Sequence, residues 1–399
     1  MEIRDTAAPM LLTESVDPIR VAFVHEWLVT YAGSEKVLSE MLKEFPDADI
    51  FCLVDFSNGR FREKFLGKVF QTSVLQNFRL LPKVYRYLFP LMPISIEQLD
   101  LSGYDLIISN SHAVAKGVIT GPDQLHISYC YTPMRYAWDL QHQYLREQRL
   151  NRGVRGWLAR LSFHIARIWD IRTSTGVDHF IACSSYIARR IWKAYRRTSE
   201  VIYPGVDTEY FQIGSEKADY YFTSSRLVPY KKVGLIVEAF QRMPNRKLVV
   251  IGDGPQYKEV RRNAGENVLV LGFQNDEVLL KHMQSAKAFI FAAEEDFGIT
   301  PLEAQACGTP VLAFGRGGAS ETVLDGVTGL HFWSQSVEAI CDVVERFESM
   351  AADFDALTIR KHAEKFSIER FRMEFRGCID GLWHAYKNST ETLRKKVAQ

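Results

Sequence analysis

The sequence predicts an α/β protein made of two consecutive domains, each with a parallel β-sheet covered by helices. Short apolar runs alternate with helical apolar spacing along most of the chain, which is typical of parallel sheets buried on both faces. The length of 399 residues suits two or three domains. A polar stretch without a strand pattern, residues 212–219, separates the two α/β series, so we place the domain boundary there.

The apolar runs give the expected order of elements. Strands are predicted at 19–24, 48–54, 105–109, 126–130, 179–183 and 201–203 in the first half, and at 220–224, 247–251, 268–271, 288–292 and 310–313 in the second. The expected domains are a disordered tail at 1–17, an N-terminal domain at 18–211, a linker at 212–219, a C-terminal domain at 220–366, a helix at 367–386 and a polar tail at 387–399.

Composition narrows the class of protein. The formal net charge of +1 gives no signal for nucleic acid, and none is expected as a partner. The six cysteines are scattered without a C-x-x-C pair, which indicates buried thiols in a reducing compartment. The first 17 residues lack a signal-peptide pattern, and no apolar run is long enough to cross a bilayer. We therefore expect a cytoplasmic protein.

Two segments combine basic with aromatic and aliphatic residues. These are residues 60–93 and the arginine-rich residues 141–172. One interpretation is a peripheral surface for an anionic inner membrane or an anionic acceptor. The other, which is the more common outcome, is ordinary packed helices with solvated arginines and lysines. We favour the second interpretation.

The stretch from Glu294 to Pro310 organises the second half. It follows a buried strand, and Thr300-Pro301 predicts a helix start. Glu295 and Glu303 then lie at the carboxyl end of a strand beside a helix N-terminus, where open α/β sheets bind ligands. The alternative is that Glu303 only caps its own helix, in a capping box with Thr300.

Two cations follow the first strand of the second half. Arg226 and Lys231 lie on either side of a turn, and they face Glu295 and Glu303 if both strands share one sheet. Fixed cations beside a helix N-terminus suit a diphosphate, and carboxylates accept hydrogen bonds from sugar hydroxyls. The combination predicts a nucleotide-sugar site.

These motifs resemble those of the retaining glycosyltransferases of family 4, which have the two-domain GT-B architecture. Glu295 and Glu303 match the family's E-x7-E motif, and Arg226 and Lys231 match its R-L-x-x-x-K element. The resemblance implies two Rossmann-like domains facing a central cleft, with a C-terminal helix that crosses back to the N-terminal domain.

The resemblance also implies roles for individual residues. Arg226 and Lys231 would hold the donor diphosphate, Glu303 the ribose hydroxyls and Glu295 the hydroxyls of the transferred sugar. Phe273 would lie near the base. The backbone lining the sugar-phosphate would come from Phe297, Gly298, Ile299 and Thr300.

In the first domain, Gly33 and Ser34 match the family's small-residue loop near the phosphates. His112 matches a histidine that approaches the sugar, and His25 and His126 are its rivals for that role.

Three segments, residues 20–27, 129–139 and 225–237, look most like bacterial O-antigen and exopolysaccharide mannosyltransferases. That resemblance implies GDP-mannose as donor and a polyprenyl-diphosphate-linked glycan as acceptor, and it adds Arg135 to the substrate-binding candidates. Tyr131 departs from the pattern, because histidine is common there. No acidic D-x-D cluster is present, so we expect no metal and no cofactor.

Other functions remain open. One is a different GT-B enzyme, such as an epimerase or a glucosyl or N-acetylglucosaminyl transferase; another is a catalytically silent subunit that binds nucleotide sugars. A dehydrogenase is disfavoured, because Gly252-x-Gly254 is followed by Tyr257 where a third glycine would stand.

Overall fold

A computed structural model describes residues 19–77, 89–150, 152–214 and 216–397. The predicted tail at 1–17 lies outside these residues, and so does the part of the first basic segment at 78–88.

The N-terminal half forms one sheet of seven parallel strands in the order β3-β2-β1-β4-β5-β6-β7. The strands are β1 Val21–Leu28, β2 Asp49–Asp55, β3 Phe70–Thr72, β4 Leu106–Ser111, β5 Leu125–Cys130, β6 His179–Ala182 and β7 Ser199–Val201.

The C-terminal half forms a second parallel sheet of six strands in the order β10-β9-β8-β11-β12-β13. The strands are β8 Tyr221–Ser224, β9 Leu248–Ile251, β10 Val268–Gly272, β11 Phe289–Phe291, β12 Val311–Phe314 and β13 Gly329–Phe332. The order reverses beside β8, as in doubly wound sheets that bind ligands at that point. The prediction of two parallel-sheet α/β domains is confirmed.

Helices cover both sheets. In the N-terminal half they are α1 Gly33–Glu44, α2 Met92–Ile96, α3 Gln141–Glu147, α4 Gly153–Ser174 and α5 Ser185–Tyr195. In the C-terminal half they are α6 Val233–Gln241, α7 Tyr257–Arg262, α8 Asp276–Ser285, α9 Ile299–Ala306, α10 Ala319–Thr322, α11 Val337–Ser349, α12 Ala356–Glu364 and α13 Ile368–Val397.

Two strands are absent from the sequence prediction, β3 and β13. β3 lies in the segment at 60–93, where a packed helix pair was the favoured interpretation, so that interpretation is wrong for this part. β13 begins at Gly329, where an added β-carbon would lie 1.9 Å from the carbonyl oxygen of Val311. Close approach of two backbones requires glycine at that position, and glycine weakens the strand signal.

Helix α13 packs on the N-terminal half, as expected for a C-terminal helix that crosses back. The ring of Tyr129 lies 6.1 Å from Phe371 and 6.3 Å from Phe375. Arg372 Nε donates to Glu40 of α1 at 2.8 Å. The helix continues to Val397, so the prediction that it ends at 386 before a polar tail is wrong.

Neither membrane spans nor disulfides are found in the described structure. No helix among the described residues is both long and apolar enough to cross a bilayer. All six cysteines are free thiols, and four of them are fully buried.

His126 in β5 predicts a pH dependence of folding. It is fully buried, its Nδ1 lies 3.1 Å from the Gly176 carbonyl oxygen and its Nε2 2.9 Å from Ser109 Oγ. Burial lowers the pKa of His126 to about 4, below the value of an unfolded histidine. The contribution of neutral, buried His126 to the stability of the fold is therefore fully present above pH 6.5 and is lost as the pH falls toward 4. We expect the wild type to lose about 2 kcal/mol more unfolding free energy than His126→Gln between pH 7 and pH 5, measured by urea titration.

The matched control is His384→Gln, because His384 is exposed on α13. This variant should follow the wild-type pH dependence. Equal pH dependence in wild type and His126→Gln would show that His126 does not carry the effect.

Candidate active site

The loop between β11 and α9 carries three consecutive acids, Glu294, Glu295 and Asp296. Helix α9 then begins at Ile299, and its N-cap is Gly298 with φ +87°. The prediction that Thr300 caps the helix and Pro301 opens it is therefore wrong. A left-handed residue lets the chain turn sharply from the loop into the helix, and glycine adopts that conformation without strain.

Lys231 and Glu295 form an ion pair. Their side chains are 16% and 17% exposed, so the pair is largely shielded from water. Lys231 ends a 3₁₀ turn that follows β8, and Glu295 follows β11. Because β8 and β11 are neighbours in the sheet, the loops at their carboxyl ends meet. The predicted convergence of cation and carboxylate is what the structure shows.

Glu303 contacts the other half of the chain. Lys36 Nζ of α1 donates to Glu303 Oε1 at 3.1 Å, and the Glu303 side chain is only 7% exposed. The pKa of Lys36 is raised by the charge of Glu303. Helix α9 has no side-chain cap, so the capping-box alternative for Glu303 is not what the structure shows. Lys36 was missed by the sequence analysis, although it lies in the first turn after Gly33 and Ser34.

Two helix N-termini meet at this point. A β-carbon on Gly33, the first residue of α1, would lie 3.8 Å from Cδ1 of Ile299, the first residue of α9. The backbone of Ser34 is fixed by two hydrogen bonds to its carbonyl oxygen, which accepts from Asn110 Nδ2 at 3.3 Å and from the Tyr131 hydroxyl at 3.2 Å. Free N–H groups and helix dipoles from two sides favour an anion between them.

Arg226 lies in the loop after β8, and its position is set by glycines. A β-carbon on Gly252 would lie 1.9 Å from the carbonyl oxygen of Ser225, and one on Gly254 would lie 2.5 Å from that of Leu227. The β9–α7 turn therefore packs directly on the backbone either side of Arg226. The guanidinium is exposed and forms no ion pair with any residue that the structure describes. It is a cation free to meet a ligand.

Phe273 lies in the loop after β10, and its ring is 79% exposed. Within the described part of the chain it makes no hydrogen bond or ring contact with the other candidate residues. The structure does not bring it together with the charged cluster.

Asp296 joins the two halves of the chain. It pairs with Arg135, and its Oδ1 accepts from Arg190 Nη1 at 3.1 Å. Arg135 also lies over the Tyr230 ring, 5.5 Å from its centroid. Burial disfavours the charged guanidinium of Arg135, but the charges of Asp296, Tyr230, Glu295 and Tyr186 together outweigh burial, and the pKa of Arg135 is raised. Arg135 is thus engaged across the cleft, and Arg190, which sequence reasoning missed, shares the same carboxylate.

His112 lies at the end of β4 and is the partly exposed histidine of this region. Its ring packs edge-on against Trp27, with centroids 5.0 Å apart. Its backbone N–H donates to Glu26 Oε1 at 2.9 Å, as do those of Ala113 and Val114 at 2.6 and 3.0 Å. Burial lowers the pKa of His112, against the opposing charge of Glu26. Neutral imidazole is therefore the form favoured by the fold.

The two rival histidines have other contacts. His25 is fully buried; Asn110 Nδ2 lies 3.0 Å from its Nδ1, and its Nε2 lies 3.3 Å from Glu35 Oε1. Because the amide donates to Nδ1, Nε2 carries the proton and donates to the carboxylate. His126 is buried inside the sheet with both ring nitrogens hydrogen-bonded. Both side chains support the fold around the loop.

An open cleft of about 940 Å³ lies beside the loop of three acids, between the two halves. Its walls carry aromatic, amide and charged side chains. The lining residues include Tyr136, Gln143, Tyr144, Tyr186, Tyr230 and Glu294. The arrangement can hold a polyol against aromatic faces next to the Lys231–Glu295 pair.

Two family models together match residues 31–366. "Glycosyltransferase Family 4" matches residues 31–210, and "Glycosyl transferases group 1" matches residues 206–366.

Curated relatives match over about half of their length. The GDP-mannose-dependent alpha-(1-6)-phosphatidylinositol monomannoside mannosyltransferase of Mycolicibacterium smegmatis is 31% identical over 214 residues, 45% of this chain and 55% of the relative. The D-inositol 3-phosphate glycosyltransferase of Mycobacterium leprae is 29% identical over 220 residues, 48% of this chain and 51% of the relative.

Solved structures share the fold over the whole length of the other chain. Sucrose-phosphate synthase from Thermosynechococcus elongatus superposes with a TM-score of 0.70 at 17% identity, covering 92% of this chain and 100% of that one. Anabaena Alr3699/HepE, in a complex with UDP and glucose, gives 0.66 at 17% identity, covering 91% and 100%. The N-terminal half thus matches the glycosyltransferase family 4 model and the C-terminal half the group 1 model, and the two halves fold as the facing parallel-sheet domains of the GT-B architecture.

Proposed function

We propose that this protein is a retaining hexosyltransferase that moves mannose from GDP-mannose onto a lipid-linked glycan in the synthesis of a bacterial cell-surface polysaccharide. The observation that carries the proposal is a set of two ion pairs along one segment, Lys231–Glu295 in the loop before α9 and Lys36–Glu303 on α9 itself. Two cations, two carboxylates and two helix N-termini in one place suit an activated sugar, which has phosphates at one end and hydroxyls at the other.

The donor diphosphate would lie against Arg226, Lys231 and the N-terminus of α9, with the backbone of residues 297–300 beside the sugar-phosphate. Breaking the anomeric C–O bond leaves negative charge on the diphosphate, and fixed cations stabilise that charge as it develops. These cations can serve where other enzymes use a divalent ion. We therefore propose a metal-independent reaction without a cofactor.

Hydroxyl recognition would fall to the two glutamates. Glu303 would accept from the ribose hydroxyls, and Glu295 from the hydroxyls of the transferred sugar. Phe273, exposed after β10, would meet the base, and Gly33 and Ser34 would close over the phosphates. His112, kept neutral by burial, would approach the sugar from the N-terminal half.

Retention would follow from attack on the same face that the nucleotide leaves. In this mechanism the departing phosphate oxygen takes the proton of the acceptor hydroxyl, so no protein nucleophile is required. Arg135 would support the acceptor side of the cleft. The acceptor that we propose is a polyprenyl-diphosphate-linked glycan at the cytoplasmic face of the inner membrane, reached by peripheral contact with that membrane.

The choice of GDP-mannose is supported by the resemblance of residues 20–27, 129–139 and 225–237 to mannosyltransferases and by the name of the Mycolicibacterium smegmatis relative. UDP in the Anabaena structure supports a different donor, a UDP-hexose, as the second candidate. A donor screen separates the two.

We expect GDP-mannose to raise the thermal unfolding temperature more than UDP-glucose, UDP-N-acetylglucosamine or ADP-glucose do, and to do so equally with EDTA or Mg²⁺. The physical reason is that a ligand bound only by the folded state stabilises it by mass action. The measurement is a thermal shift series at fixed protein concentration.

Glu303→Gln serves as the control for site occupancy, because it should weaken the GDP-mannose shift while keeping the size of the side chain. A larger shift with a UDP-sugar would replace the donor assignment, and a shift that requires Mg²⁺ would contradict metal independence.

Lys231→Ala should lower the rate of sugar transfer by at least about 10²-fold, because one preorganised charge on the developing phosphate is removed. The assay follows mannose transfer to a lipid-linked acceptor, with the anomeric configuration of the product determined by NMR. Lys361→Ala removes an exposed lysine from α12 and should leave the rate unchanged.

Circular dichroism and thermal unfolding of both variants show whether the fold is intact. A folded Lys231→Ala variant with a near-normal rate would remove Lys231 from the mechanism. Donor binding with no transfer in the wild type would instead favour a silent binding subunit, and a sugar product formed without acceptor would favour an epimerase.

A further inference from the structure

Helix α4 has apolar side chains on two opposite faces. Its inner face packs into the N-terminal half through Phe163 and Ala166, which are buried. Its outer face carries large apolar side chains that stay exposed to solvent. Six of them share one side of the helix, Val154 (75% exposed), Trp157 (62%), Leu158 (51%), Leu161 (40%), Ile165 (58%) and Ile168 (58%), and we call these six the outer stripe. Ile171, nearer the end of the helix, is also exposed (46%).

The outer stripe follows helical spacing. Its members are three or four positions apart along the helix, or adjacent at its start, so they lie on one side of it. A helix on a protein surface normally presents polar side chains to water. The expectation that residues 141–172 show an ordinary solvated face therefore does not match these side chains. A continuous exposed apolar surface of this kind marks an interaction site.

The exposed charged side chains of α4 itself are all arginines. Asp170 is the only acid in α4, and it is fully buried in an ion pair with Lys116. Arg149, Arg152 and Arg155 are exposed beside the start of the helix. An apolar stripe with an exposed basic end complements a surface that is apolar inside and anionic outside.

We propose that the outer face of α4 seats this protein on a lipid bilayer that contains anionic lipids. The outer stripe enters the boundary between headgroups and acyl chains, and the arginines contact lipid phosphates. Trp157 suits this position, since indole rings favour the membrane interface. A second copy of the chain fits less well, because α4 exposes no carboxylate of its own that could pair with these arginines.

The stripe is joined to the cleft by one short helix. The Tyr144 ring of α3 lies 5.9 Å from the Phe163 ring on the inner face of α4. Tyr144 and Gln143 of the same helix line the cleft. Docking through α4 would thus hold the cleft close to the headgroups. That docking would bring the cleft to a lipid-linked acceptor rests on the proposed function. Docking of α4 on the bilayer does not rest on it.

The test is flotation of the purified full chain with vesicles of phosphatidylcholine alone or of equal parts phosphatidylcholine and phosphatidylglycerol. We expect binding to the anionic vesicles that weakens with salt, and little binding to the neutral ones. Trp157→Ser with Ile165→Ser should reduce the partition coefficient at least about tenfold, because two interfacial apolar side chains are lost. A second variant, Val154→Ser with Leu161→Ser, should behave alike.

The matched control is Leu357→Ser with Met373→Ser, which removes two apolar side chains of similar exposure, 62% and 70%, from α12 and α13. It should bind vesicles as the wild type does. Arg152→Gln with Arg155→Gln should lose the preference for anionic vesicles. Thermal unfolding should be unchanged in all four variants, since every replaced side chain is exposed.

Absence of wild-type binding to anionic vesicles would overturn the proposal, and so would equal binding by the stripe variants. Light scattering adds a third outcome: a wild-type dimer that the stripe variants dissociate, without vesicle binding, would assign the surface to a second copy. The donor thermal shift should be the same in wild type and stripe variants. If vesicle binding fails while the donor thermal shift is intact, the docking proposal is wrong and the proposed function is retained. If vesicle binding is observed without a donor thermal shift, the proposed function is wrong and the docking proposal is retained.

Discussion

The central constraint on this structure is that three consecutive carboxylates have partners in both halves of the chain. Glu294 accepts from the Tyr186 hydroxyl at 3.0 Å, Glu295 pairs with Lys231, and Asp296 pairs with Arg190 and Arg135. Glu295 thus contacts a partner in its own half, and the acids on either side of it contact the N-terminal half. Because adjacent residues in an extended loop point to opposite sides, one short loop can both close the cleft and hold a carboxylate inside it.

Glycines keep that loop in place. Gly318 donates its N–H to the carbonyl oxygen of Glu295 at 2.8 Å, and a β-carbon on it would lie 2.2 Å from the Cα of Phe297. Three residues later, Glu321 accepts from the backbone N–H groups of Ser185 and Tyr186, at 2.8 and 2.6 Å, at the start of α5. A carboxylate from one half therefore satisfies the free helix N-terminus of the other. The acidic loop is fixed by its backbone, and so its side chains need little reorganisation.

The sequence was sufficient for the alternation of strands and helices, and for placing Lys231 opposite Glu295, because both follow strands whose apolar runs are unmistakable. It could not find Lys36 or Arg190, whose partners lie in the other half and whose local context is that of any amphipathic helix. It misplaced the start of α9, because Thr300-Pro301 is a strong local signal while the turn at Gly298 depends on the packing of Phe291 and Pro301 around it. Both basic segments were ambiguous for a related reason. The fold determines which face of a helix is buried, and only then is it clear whether the opposite face is polar and solvated or apolar and available for an interaction.

The Lys231–Glu295 pair also bears on how charge can be handled in the cleft. An ammonium group has three N–H donors, so Lys231 can keep its bond to Glu295 and still donate to a phosphate oxygen. A guanidinium in the same place would offer a fixed fork that one carboxylate can occupy fully, which is why the two cations are not interchangeable. Arg226, exposed and without an ion pair among the described residues, has its whole fork available for a diphosphate. In the proposed nucleotide-sugar site, Lys231 would contact both a phosphate oxygen and the Glu295 carboxylate, and Arg226 would supply a second positive charge to the diphosphate.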